Sequence, residues 1–369
     1  MYLFAALCNK RVIRSVWVKP RRTGYWDAAK RGIFGDEWWI DNLRMSKATF
    51  IKLCTELQPY LKKDPCRSRA PIAVDQQVAV TIWRLATNVE YRTISALFGI
   101  GISTVCETVH RTCHAISENL LSRYIKLPQE EQLKEIIREF ETLWGFPQTV
   151  GAIDGSHIPI LKPQECPSDY YNRKGFYSII VQAVVDSQGR FIDVNIGWPG
   201  KVHDARVLAN STIYKKCNDG TYLPNWNRHI NEVDVPLVIL GDPAYPLLPW
   251  LMKPFADTGN LTRQQQQQYN YRQSRARMVV ENAFGRLKGR WRCLLKRMDY
   301  LSVESVTHVV ASCLVLHNVC EMNGDRCRPE WVHHDSLTRG DTTSPADVTR
   351  HATPSANNIR NALKDYVNQ

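Results

Sequence analysis

Two rhythms of apolar residues divide the chain. Between residues 36 and 62, Trp39, Leu43, Phe50, Leu53, Leu57 and Leu61 recur at mostly helical spacing, and Ser46 is placed to cap a helix beginning at Lys47. A polar stretch, Lys63 to Ala70, leads to Pro71 and a second helical group that reaches Ile116. Within it, Asp75 can cap a helix carrying Val78, Val80, Ile82 and Leu85. TISALFGIGISTVCETVHRTCHAI then reads as helix, glycine turn, helix, with Gly99 and Gly101 in the turn and Ser103 as the second cap. This is compatible with a helix-turn-helix whose second helix, from about Thr104 to His114, presents Thr108, His110 and Arg111 to a groove. Two helices that merely pack together give the same pattern.

The rhythm changes after a charged helix at Glu130 to Phe140. GAIDGSHIPIL, FYSIIVQAVVD, FIDVNIGWP and PLVILGD are β-rich runs separated by Asp, Ser, Gly and Pro, which reads as a sheet. Asp186 to Gly189 supplies the hairpin between the second and third strands, and HDARVLANSTIY a helix crossing over before the fourth. Strand, strand, strand, helix, strand and a final long helix is the order of a ribonuclease H-like α/β fold. The glutamine run Gln264 to Gln268 begins that long helix, since Gln is a good helix former. A mostly apolar helix at Ser302 to Glu321 should lie against the sheet. The expected organisation is an N-terminal helical region at 1–62, a helix-turn-helix-like domain at 63–125, a linker helix at 126–147 and the sheet domain at 148–322. A polar, loosely attached tail at 323–369 closes with a short amphipathic helix carrying Ile359, Leu363 and Tyr366.

Bulk properties narrow the partners. A formal charge of +12 favours an acidic polymer, with nucleic acid the leading candidate. The 11 cysteines are odd in number, show no CxxC pair and fall partly in apolar helical runs, as buried free thiols in a reducing compartment do. Tyr2 to Cys8 lacks a preceding basic region and is a poor signal peptide, and no apolar run approaches the roughly 18–20 residues of a membrane span. The expectation is an intracellular protein without a membrane partner. KPRR at Lys19 to Arg22 suits part of a nuclear import signal or a plain solvated segment.

Candidate chemistry sits on three acids. Asp154 follows Ala152 and Ile153 and precedes Gly155, and Asp242 follows VILG, so each is placed where a buried strand ends. Either alone also reads as a turn aspartate. Together they fit the functional edge of an open sheet. Glu281, flanked by Val279, Val280, Ala283 and Phe284, is expected on the apolar side of its helix, where metal coordination would relieve the cost of burial. A salt bridge to Arg277 or Lys288 is the simpler alternative. Carboxylates from a sheet mouth and a neighbouring helix suit two hard divalent cations in phosphodiester cleavage. Asp204 reads as a helix N-cap or a further ligand, and His157 as a structural hydrogen-bonding group.

The bases around Glu281, among them Arg277, Arg286, Lys288, Arg290 and Arg292, form the densest positive segment and are expected to contact phosphates. Arg173 and Lys174, set among Tyr170, Tyr171, Phe176 and Tyr177, fit a backbone grip with base stacking, or aromatic strand packing. Cys313, His317 and Cys320 share a helix face without an evident fourth ligand and read as core rather than zinc site.

At AIDGSHIPI, YYNRKGFYSIIVQAVVD, GWPGKVHDARVL, GDPAYPLLPWLMKPF, ENAFGRLKGRWRCL and CLVLHN the chain resembles the PIF/Harbinger transposase superfamily and its domesticated nuclease-like relatives. The blocks run in family order from about residue 148 to 320, with MSKATFIKLCTEL upstream and IRNALKDYV at the end also similar. The resemblance implies a DDE endonuclease domain with Asp154, Asp242 and Glu281 as its triad, binding Mg²⁺ or Mn²⁺, and raises Asp204 to a motif residue of open role. It further implies nuclear work on DNA, cutting element ends and joining them to a target, with a Myb/SANT-like protein for import and end recognition. Without that partner the chain would also reside in the cytoplasm, and synapsis of two ends would call for a homo-oligomer. Pro243, where many relatives carry Ser or Ala, and the glutamine-rich insertion depart from the pattern without removing a ligand. The alternative is a domesticated, catalytically silent DNA-binding or chromatin-associated protein.

Overall fold

The computed structural model describes residues 24–62, 71–256, 264–298, 302–332 and 353–369. KPRR and the apolar start of the chain lie outside the described residues.

The helical half contains α1 (Gly24–Lys30), α2 (Glu37–Leu43), α3 (Lys47–Leu61), α4 (Val74–Thr87), α5 (Tyr91–Phe98) and α6 (Ile102–Tyr124). Ser46 caps α3 as expected, its Oγ accepting from the Thr49 N–H at 3.3 Å. Asp75 is not a cap; α4 starts behind Ala73 and Asp75 lies in its first turn, where its charge suits the helix dipole. Gly99 ends α5 at φ +66°, the left-handed conformation glycine adopts without strain. The chain then turns by 101° into α6. That helix begins behind Gly101 rather than at a Ser103 cap and continues to Tyr124, ten residues past the expected end at His114.

The sheet half follows α7 (Glu130–Trp144). In chain order it contains β1 (Thr149–Pro159), α8 (Pro167–Tyr170), β2 (Ser178–Val185), β3 (Phe191–Pro199), α9 (Asp204–Ala209), α10 (Thr212–Asn218), β4 (Arg228–Ile230), β5 (Val233–Val235), β6 (Val238–Leu240), β7 (Leu251–Met252), α11 (Gln264–Arg290), α12 (Val303–Met322) and α13 (Pro354–Val367). A five-stranded mixed sheet has the order β3-β2-β1-β6-β7. β1 pairs antiparallel with β2, which pairs antiparallel with β3, while β6 runs parallel to β1 and β7 parallel to β6. The hairpin at Asp186 forms as read, with the Gly189 N–H donating to the Asp186 carbonyl at 3.1 Å. The crossover is two short helices rather than one, because Ser211 breaks α9 and caps α10. The β4–β5 hairpin and β7 were not foreseen; at two or three residues each they are too short to show alternation.

Alternating strand residues separate two apolar layers. Ala152, Ile179, Val181, Ala183, Val185, Val238 and Leu240 join the side chains of α11 and α12, whereas Ile153, Val184 and Ile239 join Leu208 and Ile213 of the crossover. The first layer is continuous with the core of the helical half, including Trp39, Phe50, Leu85 and Ile116. α7 is more than a linker, since its Leu133, Ile136 and Phe140 are buried and the helix packs on β1. α12 is the single described helix long and apolar enough to cross a membrane, and the protein buries it instead, from Val309 to Cys320 without interruption. Cys313, His317 and Cys320 are fully buried core as read, and every described cysteine is free. The closing helix α13 packs on α11 and β5, so that end of the tail is integral to the fold.

Candidate active site at the β1–β6 edge

β1 and β6 bring the first two acids together by register. Ala152 lies opposite Leu240, where β6 ends, so Asp154 and Asp242 each stand two residues beyond the last paired position of the parallel ladder. β1 does not stop at Asp154, contrary to the expectation of a strand end with a glycine turn. It continues to Pro159 because β2 still pairs it, with Asp154 opposite Ala183 and Gly155 opposite Gln182. The carboxylate therefore projects from a rigid strand just past the end of its shorter neighbour.

Gly155 has a steric task. A side chain there would collide with the Asp204 carboxylate, so the missing Cβ lets Asp204 lie against the strand. Asp204 is the first residue of α9, behind His203 at the cap position, and no capping hydrogen bond forms there. Its carboxylate is directed at the strand rather than at its own helix. Gln182 supports this placement from β2, its Nε2 donating to the Asp204 carbonyl and to the Tyr245 hydroxyl, both at 3.0 Å. Asp242 accepts from the Ala244 N–H at 2.9 Å, which fixes its carboxylate in the turn after β6.

α11 supplies the other side through one face. Gln273, Arg277 and Glu281 are spaced by four residues and so stack along the helix. Gln273 is buried and donates to the Gly241 carbonyl at 2.8 Å, pinning the helix beside the end of β6. One turn on, Arg277 lies 3.4 Å from Asp154 Oδ2 and 2.6 Å from Glu281 Oε1. Glu281 is thus 40% exposed and ion-paired, not buried on the apolar side of the helix as expected. The neighbours Val280, Ala283 and Phe284 do face the core, and Glu281 falls on the adjoining polar stripe.

The cluster has more acid than base. Burial, then Asp242 and Asp204, push Asp154 up to about 8 despite the opposing pull of Arg277. Burial and the neighbouring Asp242 take Asp204 to about 7, and burial raises Asp242 as well. Tyr245, fully buried, feels all three aspartates and is raised too. The salt bridge from Glu281 to Arg277 forms as the simpler alternative had it. Sequence reasoning missed Tyr245, Gln182 and the link from Arg277 to Asp154; the only available signal for the first was its place in GDPAYPLL. The donor set consists of hard oxygens with surplus negative charge, which fits Mg²⁺ or Mn²⁺. The groups His114, Glu118 and His308, whose ligand atoms also cluster, are not part of this edge.

The basic residues separate into two kinds. Arg173 is exposed and contacts His203, which immediately precedes Asp204, so this base borders the acids. Lys174 is exposed in the same loop, and Arg292 is exposed after α11. Arg290 is fully buried, and Arg286 and Arg290 both pair with Glu321, at 2.9 and 3.1 Å. Lys288 is 4% exposed. Lys288 and Arg290 face the interior and Arg286, 25% exposed, is tied to Glu321, so the run of positive charge is not one continuous phosphate surface. In the helical half, Thr108 is 1% exposed, which removes it from a groove, and Arg111, still partly exposed, is engaged with Gln77 at 2.6 Å and with Glu107. His157 makes the structural hydrogen bond expected of it, to Ser178 Oγ at 2.9 Å.

Comparison with known proteins agrees with the geometry. Residues 153–318 match a family model described as DDE superfamily endonuclease, and residues 35–118 match a domain of unknown function. The Arabidopsis thaliana protein Antagonist of like heterochromatin protein 1 is 30% identical over 79% of this chain and 76% of its own length. An Arabidopsis ALP1-like protein is 31% identical over 80% and 74%. The human protein named "Putative nuclease HARBI1" is 28% identical over 78% and 79%. No solved structure matches. With acids at a shared sheet edge, a matching endonuclease model and relatives aligned over three quarters of their length, the chain belongs to the PIF/Harbinger superfamily of DDE endonuclease-domain proteins.

Proposed function

We propose that the protein is a divalent-metal-dependent DNA endonuclease of the transposase type, with a ribonuclease H-like catalytic domain and Asp154, Asp242 and Glu281 as its catalytic acids. The observation that carries this reading is the level placement of Asp154 and Asp242 beyond the β1–β6 ladder, with Asp204 lodged against Gly155 and the Arg277–Glu281 face of α11 opposite. Asp154, Asp242 and Glu281, with Asp204, would hold Mg²⁺ or Mn²⁺. When bound, such ions lower the pKa of an attacking water and stabilise the leaving oxygen of a phosphodiester.

The chain's own groups divide the remaining work. β1 and the Ala244 N–H hold the two sheet aspartates in fixed directions, which reduces the reorganisation needed at the reacting phosphate. Arg277 neutralises part of the acid cluster and has the fork geometry to meet a scissile phosphate. Arg173, Lys174 and Arg292 are the exposed bases proposed to track the DNA backbone. A nuclear location, a Myb/SANT-like partner and assembly of more than one copy at two DNA ends belong to the same reading.

The second reading is a domesticated chromatin-associated protein that binds DNA without cutting. It is favoured by the name of the Arabidopsis relative, Antagonist of like heterochromatin protein 1. Incubating the purified protein with supercoiled DNA in Mg²⁺ or Mn²⁺, with and without a Myb-like partner and beside Asp242→Ala, separates the two. Metal-dependent nicking that the variant lacks supports the nuclease. Equal traces in both proteins, with DNA binding preserved, support the silent form.

A further inference from the structure

Where α6 crosses α12, two imidazoles and a carboxylate converge away from the acidic edge. His114 and Glu118 lie one turn apart on α6 and are exposed, and His308 on α12 is half-buried between the helices. The rings of His114 and His308 have centroids 4.7 Å apart, and His308 Nδ1 is 3.8 Å from Glu118 Oε1. Ligand atoms from all three residues lie within 4.8 Å of one another.

Ser117 lies beside the cluster. Its hydroxyl is 3.0 Å from the His114 carbonyl and 2.7 Å from His308 Nδ1, so it holds the imidazole by one nitrogen and leaves Nε2 as the atom for a ligand. Imidazoles that ligate metals are held in this way, one nitrogen fixed by a neighbour and the other open. The two helices are also fixed to each other at this point. Ser312 Oγ contacts the carbonyls of His308 at 2.7 Å and Cys113 at 2.9 Å, joining the backbones that carry the cluster.

We propose that His114, Glu118 and His308 form a site for a borderline divalent transition-metal ion, Zn²⁺ fitting best, with a fourth position left to solvent. Two nitrogens and one oxygen suit zinc and select against Mg²⁺, which prefers an octahedral shell of oxygens. The ion would clip the long helix of the helical half to the core helix behind the sheet.

The test is calorimetric titration of metal-stripped full-length protein with Zn²⁺ in a background of Mg²⁺, repeated with His308→Ala, His114→Gln and Asp154→Asn. One zinc equivalent is expected, weakened at least tenfold in both histidine variants and unchanged in Asp154→Asn. His114 is exposed, so His114→Gln keeps the test valid if His308→Ala fails to fold. Co²⁺ in place of zinc should give ligand-field bands without a thiolate charge-transfer band. No zinc binding in the wild type, binding unaffected by the histidine variants, loss in Asp154→Asn, or a thiolate band would each overturn the proposal.

Discussion

α11 carries two arginine–carboxylate clusters four turns or less apart, and they are built on opposite principles. Toward its C-terminus, Arg286 and Arg290 share Glu321, Arg290 also donates to the Asp325 carbonyl at 2.7 Å, and Arg286 to the Gln188 carbonyl. His317 lies beside them and donates from Nε2 to the Gly189 carbonyl at 3.0 Å; burial and the two arginines depress its basicity, so it stays neutral. Here two guanidiniums share one carboxylate and turn to backbone carbonyls, which docks the β2–β3 hairpin, while Arg290 Nε and Nη1 keep no hydrogen-bond partner among the described residues. Toward the middle of the helix, Arg277 faces Asp154, Asp242 and Glu281 with Asp204 behind them, and the three aspartates are pushed toward protonation. The first cluster has cations in excess and ties them to other elements of the fold, whereas the second has acids in excess and retains a demand for positive charge that a ligand can meet.

The comparison breaks most sharply in function. Asp154→Ala or Glu281→Ala should lower metal-dependent DNA cleavage by about a thousandfold or more, with little loss of fold, because Glu281 pairs within its own helix and Asp154 reaches α11 through a 3.4 Å contact with Arg277. Cleavage of labelled duplex in Mg²⁺ reads this directly, and unchanged rates would remove both acids from the triad. Glu321→Ala should do the reverse. Leaving two guanidiniums, one of them fully buried, without their carboxylate should cost about 3–5 kcal/mol in urea unfolding. A shift below 1 kcal/mol would show that the cluster is less tightly coupled than its distances indicate.

A smaller effect sharpens the same contrast. At neutral pH folding requires Asp154 to take up a proton, and Asn mimics that neutral form without the cost, so Asp154→Asn should stabilise the metal-free protein by roughly 1 kcal/mol. Wild type should gain thermal stability on addition of Mg²⁺ and the variant should gain less, as mass action requires for a ligand that binds only the native state. An equal Mg²⁺ response in both proteins would place the cation elsewhere.

These clusters also show what was legible in the chain. Asp154 and Asp242 could be read because each follows an apolar run, and strands end in a few recognisable ways. Their juxtaposition was expected, but its cause was not, since β1 continues through Asp154 and the register to β6 sets the level. Charge density around Glu281 suggested one phosphate surface, yet Glu321, the partner that takes Arg286 and Arg290 inward, lies some thirty residues away on another helix. The glycine turn before α6 was legible from Gly99, while the burial of Thr108 follows from packing on α4 and α12. Local patterns located the elements; which face of each element met solvent was decided by neighbours distant in sequence.

Asp193 tests whether a raised carboxylate alone signals a site. On β3, burial lifts it to about 7 against the pull of Lys216, and its neighbours Tyr222 and Cys217 include no second acid. Its folded pKa exceeds that of the unfolded chain, so the folded state holds the proton more tightly. Stability from this group is therefore intact below about pH 4 and is lost as pH rises from about 4 to about 7, by on the order of 1 kcal/mol once solvent screening at this partly exposed position is allowed for. Asp193→Asn should flatten the unfolding free energy across that window and leave cleavage unchanged, as expected of a strained carboxylate with no partner acid. If the variant lost cleavage as well, displacement of the sheet would no longer be separable from chemistry, and the surplus of acid at the β1–β6 edge would cease to distinguish that edge from the rest of the fold.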